Sequence, residues 1–153
     1  MRKTLTVGAT PVNNPFAQLV GFTLRLGRRG GGSCTATLDV RPELLNPNGV
    51  VHGGALFSMA DTVMGAALYT TLAPGENCST IEIKIHFLQP VIKGKIRCRT
   101  RLVHRGSRIA VLESHISVGR LQVAQALGTF AIFAPRPAQV TSAGGAKRRR
   151  LSK

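Results

Sequence analysis

Four residues in the middle of the chain have the types and spacing of an acyl-transfer site. His52, Gly53 and Gly54 open a run with helical spacing, and one acidic residue, Asp61, lies inside that otherwise uncharged run. Glycines at a helix start leave backbone N–H groups bare at its positive end, where an oxyanion is stabilised. A core helix has no structural need for a carboxylate, because burying one without a partner is costly. The pattern indicates an oxyanion site with a base or nucleophile; the alternative is a core helix whose Asp61 faces solvent.

The helix that must carry these groups has one apolar stripe. Its apolar residues recur at steps of three and four: Leu56, Met59, Ala60, Val63, Met64, Ala67 and Leu68. A turn-rich loop that starts at Asn46 precedes the run, and Pro74-Gly75 follows it. The sequence therefore predicts one long central helix between these two breaks.

The segments on either side of this helix alternate between apolar and polar residues, as strands do. Strands are predicted at 22–26, 34–40, 81–87, 96–102, 109–118 and 121–133, with GRRGGG at 27–32 as a turn. A short helix should precede them, capped by Asn13 or Asn14, with Pro15 first and a stop at Gly21. Short connections imply an antiparallel meander, and the long helix must cover its apolar face.

Composition excludes several classes of protein. The 153 residues suffice for one domain, and no apolar run approaches the ~20 residues of a membrane span. Residues 1–14 lack the continuous apolar segment of a signal peptide. The three cysteines form no CxxC pair and make no metal pattern with the four histidines. We therefore expect a cytoplasmic protein with reduced thiols and no metal.

Basic residues are in large excess, with a net charge of +15. Eight Lys or Arg and no acid lie between Lys84 and Arg108, and six more follow from Arg136 onward. Such an excess favours polyanionic partners. We predict a flexible arm at 1–13, one domain at 14–134 and a basic, disordered tail at 135–153. The tail lacks base-reading features and the chain has no tryptophan, so nucleic acid is not the expected partner.

The predicted architecture resembles the hotdog fold, which is an α+β fold. It has one long helix wrapped by an antiparallel sheet of five to six strands, with HGG at the helix start. Asn46 lies six residues before His52, and Asp61 eight after Gly53. This spacing looks like the signature of PaaI-type acyl-CoA thioesterases. TIEIKIHFLQP at 80–90, HRGSR at 104–108 and ALGTF at 126–130 are also similar to that family. The resemblance covers roughly residues 14–134.

The resemblance implies hydrolysis of acyl-CoA to a free acid and coenzyme A. Asp61 would be the nucleophile or the general base that activates water. The Gly53 N–H would bind the thioester carbonyl oxygen and its oxyanion. Asn46 and His52 would help to orient the carbonyl or the water, and Thr80 would hold the water near Asp61. The chemistry is sound, because a thiolate leaves readily and hydrolysis needs mainly a base and an oxyanion site.

Four further positions are assigned to substrate binding. Gly54 adjoins the oxyanion donor, and Ser79 adjoins Thr80, so that the hydroxyl of interest is uncertain by one position. Arg105 and Arg108 surround a predicted turn and are candidates for the coenzyme A phosphates, since Arg suits bidentate phosphate binding; the alternative is a solvated turn. The remaining histidines are expected to be structural or exposed: His86, His104 and His115.

The resemblance also implies no cofactor, because coenzyme A is part of the substrate, and a homodimer that shares its sites and pairs again into a homotetramer. A rival hypothesis is a non-catalytic acyl-CoA-binding or sensing module; Asp61 argues against it, since a sensor needs no carboxylate beside the thioester. A hotdog dehydratase would have a His and acidic pairing in place of HGG and Asp. The acyl group is left open: Met59, Met64 and Phe87 could line a tunnel or belong to the core.

Overall fold

The computed structural model describes residues 5–7, 10–12 and 14–134. Two short strands and a short helix come first, namely β1 (Leu5–Val7), β2 (Thr10–Val12) and α1 (Pro15–Val20). A hairpin follows, then a single 3₁₀ turn and the long helix: β3 (Thr23–Leu26), β4 (Ser33–Asp39), Pro42–Leu44 and α2 (Gly53–Tyr69). Four long strands complete the domain: β5 (Asn77–Phe87), β6 (Lys95–Arg105), β7 (Ile109–Val118) and β8 (Leu121–Phe133).

Six of the strands form one antiparallel sheet in the order β3-β4-β6-β7-β8-β5. The predicted α+β hotdog architecture, one long helix against such a sheet, is confirmed. Helix α2 connects β4 to β5, which lies at the opposite edge of the sheet from β3. Among the described strands, β5 therefore has one neighbour, β8, and its other side is an open edge.

The core lies between α2 and one face of the sheet. All seven residues of the predicted apolar stripe are buried. They pack against alternate residues of the strands, as the period-two pattern requires. Two buried hydroxyls in this core, those of Thr100 on β6 and Ser114 on β7, hydrogen-bond each other, so that neither is left unsatisfied.

The start of the domain follows its local capping signals. The Asn14 side chain accepts a hydrogen bond from the Ala17 N–H at 2.8 Å, Pro15 occupies the first helical position, and Gly21 ends α1 with a φ of 92°. The paired strands β1 and β2 were not expected, since residues 1–13 were predicted to be a flexible arm. The predicted basic tail at 135–153 lies outside the described residues.

Gly128, on the helix-facing side of β8, is a tightly packed position where an added methyl group would displace neighbouring side chains. A Cβ there would lie 2.6 Å from Met64 Sδ and 3.2 Å from Ile83 Cγ1. We expect Gly128→Ala to lower the free energy of unfolding by about 1–3 kcal/mol through overpacking, as measured by urea denaturation. Gln122→Ala, at an exposed position of the same strand, should change it by less than about 0.5 kcal/mol. Equal stability of Gly128→Ala and the wild type would mean that Met64 repacks freely.

Candidate active site

His52 caps the long helix. Its Nδ1 accepts a hydrogen bond from the Gly54 N–H at 2.8 Å, which places the ring proton of the neutral imidazole on Nε2. A Cβ on Gly54 would lie 2.8 Å from that same Nδ1, so a larger residue there would displace the cap. The accepting nitrogen of the imidazole, Nδ1, is thus engaged at the helix start, and the other nitrogen carries a proton and can only donate. This fits a positioning residue better than a base.

Gly53 presents the free N–H at this helix start. Within the described part of the chain, its N–H has no hydrogen-bond acceptor, whereas Gly54 and Ala55 donate to His52. A Cβ on Gly53 would lie 3.0 Å from Phe87 Cζ, so the ring of Phe87 lies directly over the glycine. The sequence could not show this contact, because 34 residues separate the two positions. The arrangement leaves a bare donor beside an aromatic wall.

Asp61 lies two turns further along α2 and is half-buried. The Thr80 hydroxyl on β5 donates a hydrogen bond to Asp61 Oδ1 at 2.7 Å. This bond holds one carboxylate oxygen and leaves Oδ2 with no partner among the described residues. Asp61 is therefore neither a core residue nor a freely solvated one, and its carboxylate has a fixed direction.

A β-bulge decides which hydroxyl faces Asp61. Thr80 pairs with Phe130 of β8 and Glu82 pairs with Thr129, so Ile81 is the extra residue between them. Alternation alone would turn Ile81 and Ser79 toward the helix, and the bulge replaces them there with Thr80 and Cys78. Ile81, which simple alternation would place in line with Ile83 and Ile85, is instead 56% exposed. No local signal in the sequence marks the bulge.

Cys78 is the neighbour that the motif did not suggest. Burial raises the pKa of its thiol, and the nearby Asp61 carboxylate raises this pKa further. The thiol is therefore protonated at neutral pH and is a poor nucleophile. Cys34 and Cys98 are buried in the core, where burial raises their pKa values to about 12 and about 11. All three cysteines are free.

Asn46 shapes the loop that leads into His52. Its Oδ1 accepts hydrogen bonds from the Asn48 and Val50 N–H groups at 2.9 and 3.4 Å. This Asx-type arrangement holds the turn before α2. The side-chain oxygen of Asn46 is thus engaged locally, and its side-chain NH₂ group has no hydrogen-bond partner among the described residues.

The arginines at the β6–β7 turn differ from each other. Arg105 forms an ion pair with Glu76 at 2.7 Å, at the start of β5, and both side chains are about 70% covered. Arg108 is exposed and has no ion pair in the described part of the chain. The Glu76 partner lies 29 residues away in sequence and was not anticipated. Of the other histidines, His86 and His104 are exposed and His115 lies 3.3 Å from Glu113 Oε1.

A cleft of ≈ 330 Å³ opens beside the helix start. Gly53, Leu56 and Phe87 are among its lining residues. Of the three residues considered for an acyl tunnel, Met59 and Met64 are instead fully buried core residues, and only Phe87 lines this space. Among the described residues no helix is long and apolar enough to cross a membrane, and no group of three or more His, Cys, Asp or Glu is arranged to hold a metal ion.

A hotdog sheet, an unpaired N–H at the start of its helix and a hydroxyl-bonded carboxylate on the same helix define a protein of the thioester hydrolase class. The chain belongs to the Thioesterase superfamily, whose sequence model matches residues 48–124.

Known relatives agree with this assignment. A conserved protein of Pseudomonas aeruginosa is 35% identical, with a TM-score of 0.74 over 79% of this chain and 95% of that one. A phenylacetic acid degradation-related protein of Ralstonia eutropha JMP134 is 32% identical, with a TM-score of 0.73 over 81% and 93%. The 1,4-dihydroxy-2-naphthoyl-CoA hydrolase of Escherichia coli is 28% identical over 72% of this chain and 84% of its own length. The match to an esterase of Saccharolobus solfataricus, at 32% identity, spans 60% of this chain and only 61% of that relative.

Proposed function

We propose that this protein is a cytoplasmic acyl-CoA thioesterase that hydrolyses acyl-CoA to a carboxylic acid and coenzyme A. The observation that carries the proposal is the 2.7 Å hydrogen bond from the Thr80 hydroxyl to Asp61, which aims a carboxylate out of the long helix. A purely structural helix would not need this carboxylate, and a binding module would not need it held in a fixed direction.

Asp61 and the Gly53 N–H have complementary roles in the proposed reaction. As a general base, Asp61 takes a proton from water while the water oxygen bonds to the carbonyl carbon. The oxyanion accepts a hydrogen bond from Gly53, then collapses, breaks the C–S bond and expels the thiolate, which receives the proton. As a nucleophile, Asp61 would instead attack the carbonyl carbon and expel the thiolate, forming a mixed anhydride that water then cleaves to the free acid and the regenerated carboxylate. Thr80 orients the carboxylate in either route.

One chain cannot readily supply both groups to one substrate. Asp61 follows Gly53 by eight residues on the same helix, a separation of about 12 Å at 1.5 Å per residue. The base and the oxyanion donor must each come within about 3 Å of a single thioester group or its water. We therefore infer that Gly53 of one protomer acts with Asp61 of its partner, across a two-fold axis between antiparallel α2 helices.

Strand β5 provides the surface for such a dimer. It is a long edge strand, and no other described strand pairs with its outer hydrogen-bonding groups. Apolar side chains near this edge are exposed, including Ile81 on β5, Phe87 at its end and Phe57 on α2. Pairing two β5 strands would continue the sheet into the second protomer and cover these side chains. Two such dimers would form the homotetramer that the hotdog resemblance implies.

A hydrolysis screen tests the proposed function. Aliphatic acyl-CoA esters of increasing length and aromatic acyl-CoA esters would be compared, with thiol release as the readout. The aromatic arm is included because relatives are named for naphthoyl-CoA hydrolysis and phenylacetic acid degradation. We expect catalytic turnover of at least one of these groups. Tight binding of intact acyl-CoA with no thiol release from any ester would instead support the binding module.

A further inference from the structure

The glycine-rich turn between β3 and β4 is fastened to the far end of the long helix. Gly30 N–H donates to the Thr70 carbonyl at 2.7 Å, and Gly32 N–H donates to the Thr70 hydroxyl at 3.0 Å. Both glycines have positive φ values, 76° and 58°, a conformation that favours glycine. The turn is thus held against α2, and its two arginines, Arg28 and Arg29, have a defined place on the surface.

Beside this turn lies a cleft of ≈ 480 Å³ that the proposed reaction does not use. Arg28 and Arg29 line one side, and the end of α2 lines the other with Tyr69, whose side chain is 56% exposed. Glu76 lies at the base of the connection to β5. The cleft therefore combines two guanidinium groups with an accessible aromatic ring, which are the groups that bind phosphates and stack on a nucleobase.

The electrostatics of the cleft favour an anion despite its place at a helix C-terminus. The last carbonyls of a helix normally repel anions, but here they already accept hydrogen bonds from the protein itself. The Thr70 and Thr71 hydroxyls donate to the Ala67 and Leu68 carbonyls at 2.7 and 2.8 Å. The Gly30 N–H donates to the Thr70 carbonyl. The one carboxylate of the cleft, Glu76, is neutralised by its ion pair with Arg105. Arg28 and Arg29 have no acidic partner among the described residues, so the cleft carries net positive charge.

The cleft also lies at a suitable distance from the proposed reaction centre. Tyr69 follows Asp61 by eight residues, about 12 Å along α2 and about 80° around it, on the exposed side of the helix. The pantetheine arm of coenzyme A is comparable to about four extended residues, roughly 14 Å. A substrate whose thioester meets Asp61 can therefore reach the cleft with its nucleotide.

We propose that this cleft binds the 3′-phosphorylated ADP end of coenzyme A, with Arg28 and Arg29 on the phosphates and Tyr69 stacked on the adenine. The inference rests on the proposed acyl-CoA hydrolysis and adds to it a specificity site. It gives the GRRGGG turn a role and makes Arg105 a positioning residue that neutralises Glu76.

The test compares two thioesters of the same acyl group. For the acyl-CoA, Arg28→Ala/Arg29→Ala should raise KM about tenfold or more and leave kcat unchanged. For the acyl-N-acetylcysteamine thioester, which has no nucleotide, the same variant should leave KM unchanged. Arg97→Ala/Arg99→Ala is the matched control, because these arginines are exposed on the outer face of the sheet and have no acidic partner in the described chain. Equal KM values of the cleft variant and the wild type for acyl-CoA, or equal rises for both thioesters, would overturn the proposal.

Tyr69 is tested by a conservative pair. Tyr69→Ala should raise the KM for acyl-CoA about fivefold or more, whereas Tyr69→Phe, which keeps the ring, should not. Loss of affinity in Tyr69→Phe as well would show that the hydroxyl and not stacking matters, and this would contradict the assigned role.

Binding of 3′,5′-ADP, measured by calorimetry, separates this inference from the proposed function because it needs no turnover. The wild type should bind it, and the double arginine variant should bind it at least tenfold more weakly. If no thioester is hydrolysed but this difference is found, the proposed reaction fails and the nucleotide cleft stands. If the wild type does not bind 3′,5′-ADP, or if 3′,5′-ADP inhibits hydrolysis without competing with acyl-CoA, the cleft is not the nucleotide part of the substrate site.

Discussion

Asp61→Ala is expected to lower kcat by a factor on the order of 10² or more, while the protein stays folded. Among the described residues near the proposed reaction centre, the Asp61 carboxylate is the group best suited to activate water or attack the thioester, since His52 Nδ1 accepts the Gly54 N–H and the Cys78 thiol has a raised pKa. Its removal should not harm the fold, because the carboxylate is only half-buried and its described side-chain contact is a single hydrogen bond from Thr80. Thiol release gives kcat, and thermal unfolding monitored by circular dichroism checks the fold.

Three further variants show whether basicity or shape matters at this position. Asp61→Asn keeps the shape of the side chain but not its basicity, so its kcat should be as low as that of Asp61→Ala. Thr80→Val should lower kcat about tenfold, because the carboxylate loses the donor that orients it. Ser79→Ala is the matched control, since the bulge turns Ser79 away from Asp61, and it should behave like the wild type. Turnover near the wild-type level in folded Asp61→Ala would exclude the proposed mechanism.

Mixed dimers of two inactive variants are expected to regain activity. Asp61→Ala lacks the carboxylate, and Gly53→Pro lacks the N–H. Proline suits this place, because Gly53 is the first residue of α2 and His52 before it has a ψ of 134°, which proline accepts. The Cβ of this proline would meet the ring of Phe87, a residue that is 54% exposed. Each mixed dimer would contain one site with both groups intact and one site with neither.

The size of the recovery is part of the prediction. Random exchange of equal amounts gives half mixed dimers, each with one of two sites, so about a quarter of the wild-type specific activity should return. Each variant incubated alone is the control, and native mass spectrometry of a tagged pair confirms exchange. If both variants are folded and exchange subunits but no activity appears, the shared site is contradicted.

Local patterns predicted the helices because their causes are local. The period of apolar residues located α2 and its buried face, and Asn14, Pro15 and Gly21 marked the ends of α1. The alternation of side chains located the strands to within a few residues. The family motif supplied the candidate site residues, and the structure brings Asp61 and Thr80 together.

Long-range pairings could not be predicted in the same way. Strand order depends on which edges meet after α2 crosses the sheet. The predicted meander would pair β5 with the next strand, β6, and this is wrong for β5, which lies next to β8. The Phe87 ring over Gly53 and the Glu76 partner of Arg105 are contacts between distant segments. The bulge at Ile81 breaks the simplest alternation and turns Thr80 toward Asp61, which lies 19 residues earlier in the chain.

That bulge makes β5 a frustrated strand. A regular ladder would place Ile81 in the protein's own core, in line with Ile83 and Ile85, whereas the observed ladder gives that place to Thr80 and leaves Ile81 at the open edge. We therefore expect an isolated protomer to have a competing register, one that satisfies its hydrophobic pattern but turns the Thr80 hydroxyl away from Asp61. In the proposed dimer the second protomer covers Ile81, and the conflict is relieved. Assembly would then select the strand register, so that the catalytic geometry and the quaternary structure form as one cooperative event.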